Sequence, residues 1–366
     1  MATIEEILKA PNMQRTIEEV KSGVPNPFDP ALFTTTSPVD GDYAEYRKVD
    51  GSRELAQRVA YGGPSKNVTH RDISEVPVKL IHTFENIRHK PAVMNNLLSD
   101  NNQRQLLGEQ EIGRQTQEFK ARYMNLRISA VASGLALGAI YFNEDGQLLS
   151  SSSGAKVTID YGIPAGNKDQ LDWDGNGDII DGDWDTAATT IVQQMKTLKS
   201  AAVKLSGFPI ETAYYGANIL GYLLANTEVL NFAARVPTMA ASLQTGIIPD
   251  GFLGIPKWRA ACDHVWVDDD GSTLTTVWDD DGITFVPPVD RSWWDMFEGS
   301  IPVPNNLGAI TDDGLAALAN VSTARGMFNY AHVTSDPVGI KHLAGDTFLP
   351  IVKATKAIWI AIVSGF

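Results

Sequence analysis

The sequence has almost no cysteine. Cys262 stands alone among 366 residues, so neither an intrachain disulfide framework nor a multi-cysteine zinc site can form. Long apolar runs are missing as well. The stretch most worth testing as a membrane span, Ile128 to Asn143, falls short of the roughly 18–20 residues a bilayer needs and is interrupted by Ser129, Ser133, Gly134 and Gly138. It reads as a buried segment, and no membrane association is expected. Glu5 and Glu6 occupy the place where a secretory leader would carry Lys or Arg before an apolar core. A reducing host cytoplasm, or a particle assembled there, is the expected setting. Positive charge is in deficit: 30 Lys and Arg face 44 Asp and Glu, a formal charge of −14. Such a chain lacks the clustered cations that grip nucleic acid over a broad face. Catalytic signatures are lacking too. The six histidines form no HExxH, and there is no GxSxG elbow, no GxxxxGK[ST] loop and no GxGxxG after a strand. Cys262, Asp263 and His264 adjoin, but neighbours on a strand point to opposite faces and make no dyad. No catalytic residue is assigned and the chain is not read as an enzyme.

What is present is ordinary globular composition, 43% hydrophobic and 20% charged, which excludes wholesale disorder. The length suits about two to three structural units. The first 30 residues read as a detachable arm. Ile4–Lys9 and Met13–Ser22 can each form a short amphipathic helix, Gly23 stops the second, and a proline-rich run to Pro30 is extended. Phe28, Leu32 and Phe33 imply that the arm lies against something. Between 36 and 90, Tyr43, Tyr46 and Val49, then Val59 and Tyr61, then Val76, Val78 and Leu80 alternate with polar residues as short strands. From Tyr46 to Lys90 there are nine Lys or Arg and five acids. A long, basic, core-poor hairpin cannot stand alone and reads as a projection that docks on a partner.

Asp100 to Leu137 is the longest helical candidate, capped by Asp100, with Phe119, Tyr123, Leu126 and Ala130 on one face and Arg114, Glu118 and Arg122 pairing along another. Gly108 and Gly113 are expected to weaken its first part. Short strands 140–142, 147–149 and 157–159 follow, the first two joined by Asp145-Gly146. Beyond Pro164 the chain turns acidic. A helix is expected over Thr186–Leu205, a strand over 212–215, helices near 219–224 and 229–236, and strands at 252–258, 264–267, 273–278 and 283–286. The two Asp-Asp-Asp-Gly runs at 268–271 and 279–282 are taken as hairpin turns. A helix at 315–318 and apolar strands at 348–352 and 358–363 complete the pattern.

The sharpest motif runs from Asp172 to Asp183. Asp172, Asp174, Asn176 and Asp178 with Gly177, an aliphatic Ile179 and a closing Asp183 reproduce the spacing of a twelve-residue calcium loop. Asp183 replaces the usual Glu, so a shorter carboxylate closes the set. No clear helix precedes the loop. The expected cofactor is a structural calcium ion; the competing reading is a solvated Asp/Gly turn. From Lys168 to Asp185 there are seven Asp and one Lys, and from Asp263 to Glu298 ten acids and one Arg. The acidity is therefore concentrated on the second unit. Trp266, Trp278, Trp293 and Trp294 are expected to pack beneath a β layer; stacking on sugars is the alternative.

The order of these parts resembles the major capsid proteins of tailed bacteriophages, in the family of the lambda major capsid protein E. The resemblance is carried by Val157–Gly162, by the Trp184 segment leading into the next helix, by Ala225-Asn-Thr-Glu228-Val, and by Phe348-Leu-Pro350-Ile-Val with Ala357-Ile-Trp359-Ile-Ala. It implies an α+β, HK-97-like phage capsid fold: N-terminal arm 1–35, E-loop 36–90, P-domain with a long spine helix 91–164, A-domain 165–340, and a return to the P-domain at 341–366. It also implies a virion protein that self-assembles into capsomers of five and six, enclosing double-stranded DNA without sequence-specific binding, with decoration and scaffolding proteins as further partners. Arm and hairpin are then expected to pack on neighbouring subunits. The alternatives are a calcium-stabilised carbohydrate-binding or carbohydrate-active module, and another phage structural component of the tail or portal.

Overall fold

The computed structural model of the chain describes residues 10–48, 75–89, 91–97, 99, 101–172, 177–181, 183–267, 272–304, 321–335 and 338–365. The first helix, α1 (Ala10–Glu19), starts before the expected Met13; the helix expected at 4–9 lies outside the described residues. Met13 and Ile17, four apart and so on one face, are buried. After Gly23 (φ +69°) the chain is extended to α2 (Ala31–Thr34). Phe28 and Leu32 are buried in the chain's own core: the Phe28 ring lies 5.2 Å from Tyr214 and 6.1 Å from Trp278. The Trp294 indole donates to the Leu32 carbonyl at 2.9 Å. The described part of the arm, expected on a neighbouring subunit, is thus tied to its own.

Strand β1 (Thr36–Val39) precedes a hairpin of β2 (Tyr43–Arg47) and β3 (Glu75–Lys79), paired antiparallel with Tyr43 opposite Lys79. Ala44 and Tyr46 are buried while Tyr43 is exposed, the period-two alternation read in the sequence. The strand expected around Val59 and Tyr61 lies outside the described residues. β4 (Ile81–Arg88) continues past Leu80 and was not anticipated.

Helix α3 (Pro91–Leu97) is followed by α4 (Asn102–Ala136), 35 residues and about 52 Å long at 1.5 Å per residue. Its cap is Asn101, whose side chain accepts from Gln103 N at 3.0 Å, and not Asp100. Gly108 does not break it. A Cβ there would sit 2.8 Å from the Leu97 side chain, so this glycine lets α3 cross close to α4. Phe119, Tyr123 and Ala130 form the buried face as expected. Arg114 pairs with Glu118 at 2.5 Å and Glu111 at 2.7 Å, but Arg122 reaches across to Glu85 on β4 at 2.6 Å. Strands β5 (Ala139–Phe142), β6 (Leu148–Leu149) and β7 (Val157–Asp160) form a three-stranded sheet in the order β6-β5-β7.

In the acidic half, β8 (Lys168–Asp169) precedes α5 (Ile191–Leu205). The helix expected from Thr186 starts five residues late because 186–190 is folded into turns. Thr189 donates to the Asp183 carbonyl at 2.6 Å, and the Glu228 carboxylate accepts from Val192 N at 2.9 Å, capping the helix from outside. β9 (Thr212–Tyr215), α6 (Ile219–Ala225), α7 (Thr227–Ala233) and α8 (Pro237–Gln244) follow. The strand expected over 252–258 is cut short: Gly251, Leu253 and Gly254 all have positive φ, so a turn precedes β10 (Lys257–Ala260). β11 (Trp266–Val267) pairs β12 (Leu274–Thr275), whereas β13 (Gly282–Val286) belongs to another sheet. Residues 279–282 are therefore no hairpin turn. They link two sheets, and the Asp281 carboxylate accepts from Asn218 at 2.9 Å and Tyr222 at 2.6 Å.

The last third was the least legible. β14 (Trp294–Pro304), β15 (Val321–Arg325), β16 (Phe328–Ser335) and the fifteen-residue β17 (Val338–Val352) make one sheet with β1 and β4, in the order β1-β14-β17-β16, with β15 on β14 and β4 on β17. The boundary expected at 340 therefore falls inside this sheet. β18 (Trp359–Ile362) joins the second large sheet, β10-β9-β13-β18-β8, and not the sheet of β17. Its side chains alternate between two cores. Ile358 and Ile360 join the core under α4, while Trp359, Ala361 and Val363 join the core around α5. The helix expected at 315–318 lies outside the described residues.

Candidate functional site

The acidic loop comes first because its sequence pattern is sharpest. Gly177 has φ +129°, a conformation open to glycine and costly for other residues. Its N–H lies 3.4 Å from Asp172 Oδ1. Asp181 accepts from the Gln194 amide at 2.8 Å, and that amide also accepts the Trp184 indole N–H at 2.8 Å. The loop is thus anchored to α5 through buried Gln194 and Trp184. Asp178 is exposed and Asp183 half-buried. Asp174 and Asn176 lie outside the described residues. Among the described residues no group of three or more His, Cys, Asp or Glu is placed to hold a metal ion.

A second polar constellation was not anticipated. Arg127, on the inner face of α4, donates from Nε and Nη2 to the two carboxylate oxygens of Asp346, each at 2.6 Å, and from Nη1 to Glu298 at 2.9 Å. Its guanidinium also lies 5.1 Å from the centre of the Phe348 ring. Asp346 is 0% exposed and the Arg127 side chain 7%. Burial works against the guanidinium's charge, but Asp346 and then Glu298 outweigh it and its pKa rises further. Burial likewise pushes the Asp346 carboxyl up, with Arg127 opposing. The geometry needs Gly326: at φ +61°, its Cβ would stand 2.9 Å from both Arg127 Nη2 and Glu298 Oε1. A parallel clamp joins Lys353 to Asp295 at 2.6 Å, with Ser37 donating to the same carboxylate at 2.7 Å, so β1, β14 and the end of β17 are cross-tied. These clamps fix the long helix and large sheet as one plate. The sequence did carry a signal. Asp346 is the lone charge in the run from Leu343 to Val352, and a buried acid demands a cation.

No arrangement suited to nucleophilic or acid–base catalysis appears among the described residues. His264 is buried, meets Ser129 Oγ at 2.9 Å, and is pushed down to about 4 by desolvation. No carboxylate is recorded against its ring, which a triad would require. Burial raises the Cys262 thiol, away from thiolate reactivity. Trp278, Trp293 and Trp294 are buried, as the packing expectation had it, so they present no platform for sugars. What the chain does offer is exposed apolar surface and unpaired strand edges. Tyr43 on the hairpin, Phe84 on β4, Leu106 and Leu107 on α4 and Val157 on β7 are each more than half exposed. Among the described residues, β3 and β7 each have one edge without a partner. Surfaces of this kind mark association with other chains.

Comparison with known proteins places the chain in a family. The family model described as phage major capsid protein E matches residues 9–363. The chain belongs to this family of phage capsid proteins. With membership comes the HK-97-like capsid fold, and the family is one of structural proteins, not enzymes. No curated protein sequence matches this capsid protein significantly. Among solved structures it is similar to a phage-related protein from Bordetella bronchiseptica RB50, at 9% identity over 97% of each chain with a TM-score of 0.52. It is also similar to a protein assigned as a prophage capsid protein of Escherichia coli CFT073 (12% identity, 80% of each chain, TM-score 0.47), and to a chain of the satellite phage P4 procapsid (9% identity, 96% of this chain and 90% of that one, TM-score 0.44). The capsid protein is a component of the phage virion. Among its described residues no helix is long and apolar enough to cross a membrane.

Proposed function

We propose that this capsid protein assembles in the host cytoplasm into capsomers of five and six that close as an icosahedral head around double-stranded DNA, with decoration and scaffolding proteins as additional partners. Family membership across nearly the whole chain carries the reading. A clamped plate of helix and sheet supports it, with a hairpin whose exposed Tyr43, at its base, and open edge find no partner within the described chain. A surface of one kind meeting a different surface on the next copy gives rings that close. The concentrated acidity of 168–185 and 263–298 suits a shell whose contents must slide and not adhere. Negative-stain electron microscopy and sedimentation velocity of the full chain test this. Five- and six-fold rings or closed shells are expected; a chain that stays monomeric under every assembly condition overturns it.

The loop from Asp172 to Asp183 is proposed as a structural calcium site, held by Asp172, Asp174, Asn176, Asp178 and Asp183. Its twelve-residue spacing and the turn at Gly177 support this. Calcium would neutralise a carboxylate cluster and stiffen the entry to α5. In the capsid frame, residues 10–35 are the arm, the hairpin from β2 to β3 the E-loop base, α4 with the sheet of β17 the peripheral domain, and the sheet of β9, β13 and β18 with α5 the axial domain.

A further inference from the structure

Helix α1 is held on the large sheet by two side-chain amides, those of Asn329 and Gln14. Asn329 on β16 donates from Nδ2 to Met13 O at 3.4 Å and to Thr116 Oγ1 of α4 at 3.5 Å, and its backbone N–H donates to Gln14 Oε1 at 3.2 Å. Gln14 Nε2 donates in turn to the Met327 carbonyl at 2.9 Å. Met13 O can only accept, so the Asn329 amide nitrogen faces α1 and its oxygen faces His342. His342 Nε2 is hydrogen-bonded to that oxygen. The proton therefore sits on Nε2 and Nδ1 is bare. Among the described residues Nδ1 is buried without a partner, as are both ring nitrogens of His89. The two rings stack with centroids 5.6 Å apart and planes 15° apart, 0% and 3% exposed. Buried polar atoms in native folds almost always find partners, so three together call for an explanation.

The surroundings offer a cation little beyond Glu111. From α4, Phe119 meets His342 edge-on at 5.2 Å. Glu111 is the charged group bearing on His89, and its carboxylate is already held by Arg114 at 2.7 Å and Gln115 at 3.1 Å. From β4, Glu85 is paired with Arg122; on β17, Asp346 is paired with Arg127. Arg88 and Lys341, the sequence neighbours of the two histidines, alternate to the opposite side of their strands. Met13, Leu97, Ile112, Ala331 and Ile340 form the local apolar core.

We propose that the stacked His89–His342 pair is an acid-operated catch for the arm: a proton taken up by the pair places a charge in a buried site, and lifting residues 10–19 off the sheet relieves it while the rest of the fold stays in place. The proton adds to a bare ring nitrogen and makes a buried imidazolium with no acceptor. Lifting α1 relieves this by admitting water. Burial pushes His342 down to about 3, with His89 adding to the effect, and burial also lowers His89 against the opposing pull of Glu111. With the arm released, a histidine titrates near 6.5. Docking is therefore complete above about pH 6.5 and weakens as the pH falls toward 3. At pH 5 it is weakened about thirty-fold through His342.

Hydrogen–deuterium exchange of the full chain at pH 7.5 and 5.0, corrected for the pH dependence of chemical exchange, tests the catch. Peptides within 10–19 should lose about thirty-fold protection, and at both pH values they should exchange ahead of those within 191–205. His342→Gln retains an N–H donor toward Asn329 without a titrating nitrogen and should remove the acid response. Unchanged arm protection, an equal loss in His342→Gln, or arm peptides that exchange no faster than those within 191–205 overturns the proposal. Should His342→Gln not fold, the wild-type profile decides. A loss starting near pH 6.5 and running about a decade per pH unit belongs to a histidine, whereas protection that stays flat down to pH 5 overturns the catch.

Discussion

Arg127→Ala should be among the most damaging single changes in the chain. The substitution removes three charge-assisted hydrogen bonds and leaves Asp346, 0% exposed, with no cation. Breaking a buried ion pair from one side costs about 3–5 kcal/mol, mostly because the remaining charge is stranded. Loss of the guanidinium over Phe348 adds about 0.5–2 kcal/mol. Against the roughly 5–15 kcal/mol that a folded domain has in total, one substitution removes from about a quarter to all of it. Asp346→Ala should cost a similar amount by stranding Arg127, although Glu298 still engages Nη1 at 2.9 Å and softens the loss. Replacing both charges with apolar residues is different in kind: Arg127→Met with Asp346→Leu strands nothing but Glu298, which is a quarter exposed and can turn to water. That double variant should be more stable than either single. Urea unfolding of the unassembled chain, followed by tryptophan fluorescence at fixed protein concentration, gives all four corners of the cycle. Single changes that each cost under about 1 kcal/mol, with no coupling between them, would refute the argument that these charges are held in a desolvated clamp.

Other sites give independent tests. Gly345→Ala should cost several kcal/mol in the same unfolding assay, because a Cβ in mid-strand meets the Thr83 carbonyl and the Phe328 ring, each at 2.4 Å. Phe28→Ala should cost about 3–5 kcal/mol and raise proteolytic cleavage between 20 and 35, since its ring anchors the arm between Tyr214 and Trp278. Burial holds His264 near 4, so the unfolded chain takes up that proton first and stability should fall as the pH drops from about 6.5 to 4. The loss is up to about 3 kcal/mol, and His264→Gln should remove that part of the acid sensitivity in pH-dependent urea titrations. Millimolar calcium should raise the melting temperature of wild type but not of an Asp172→Asn, Asp178→Asn variant; equal responses would mean the loop is a solvated turn.

Local periodicity made some of the fold readable in advance and hid the rest. The face of α4 was legible because Phe119, Tyr123 and Ala130 repeat at helical spacing, and the hairpin strands because Tyr46 and Val76 alternate with polar neighbours. β17 was only half seen. Its C-terminal end, 348–352, is uniformly apolar, but Lys341, His342 and Asp346 interrupt the earlier part. Two of these interruptions have their partners on other elements: Asn329, 13 positions back on the neighbouring strand, for His342, and Arg127, 219 positions back, for Asp346. A polar residue in a buried strand reads as surface until its partner is known, and these partners come from the long helix and from β16. The same holds for the glycines. Gly108 and Gly345 look like breakers in isolation, yet in space they are the places where Leu97 and the Phe328 ring need room. The clamp was thus invisible for the reason that makes it effective: it ties segments over 200 positions apart. A plate cross-tied in this way can bear a load from neighbouring subunits at its edges without the helix and sheet sliding over one another. Apolar packing alone resists sliding less, because one buried contact can replace another at little cost, whereas moving Arg127 out of register strands a charge.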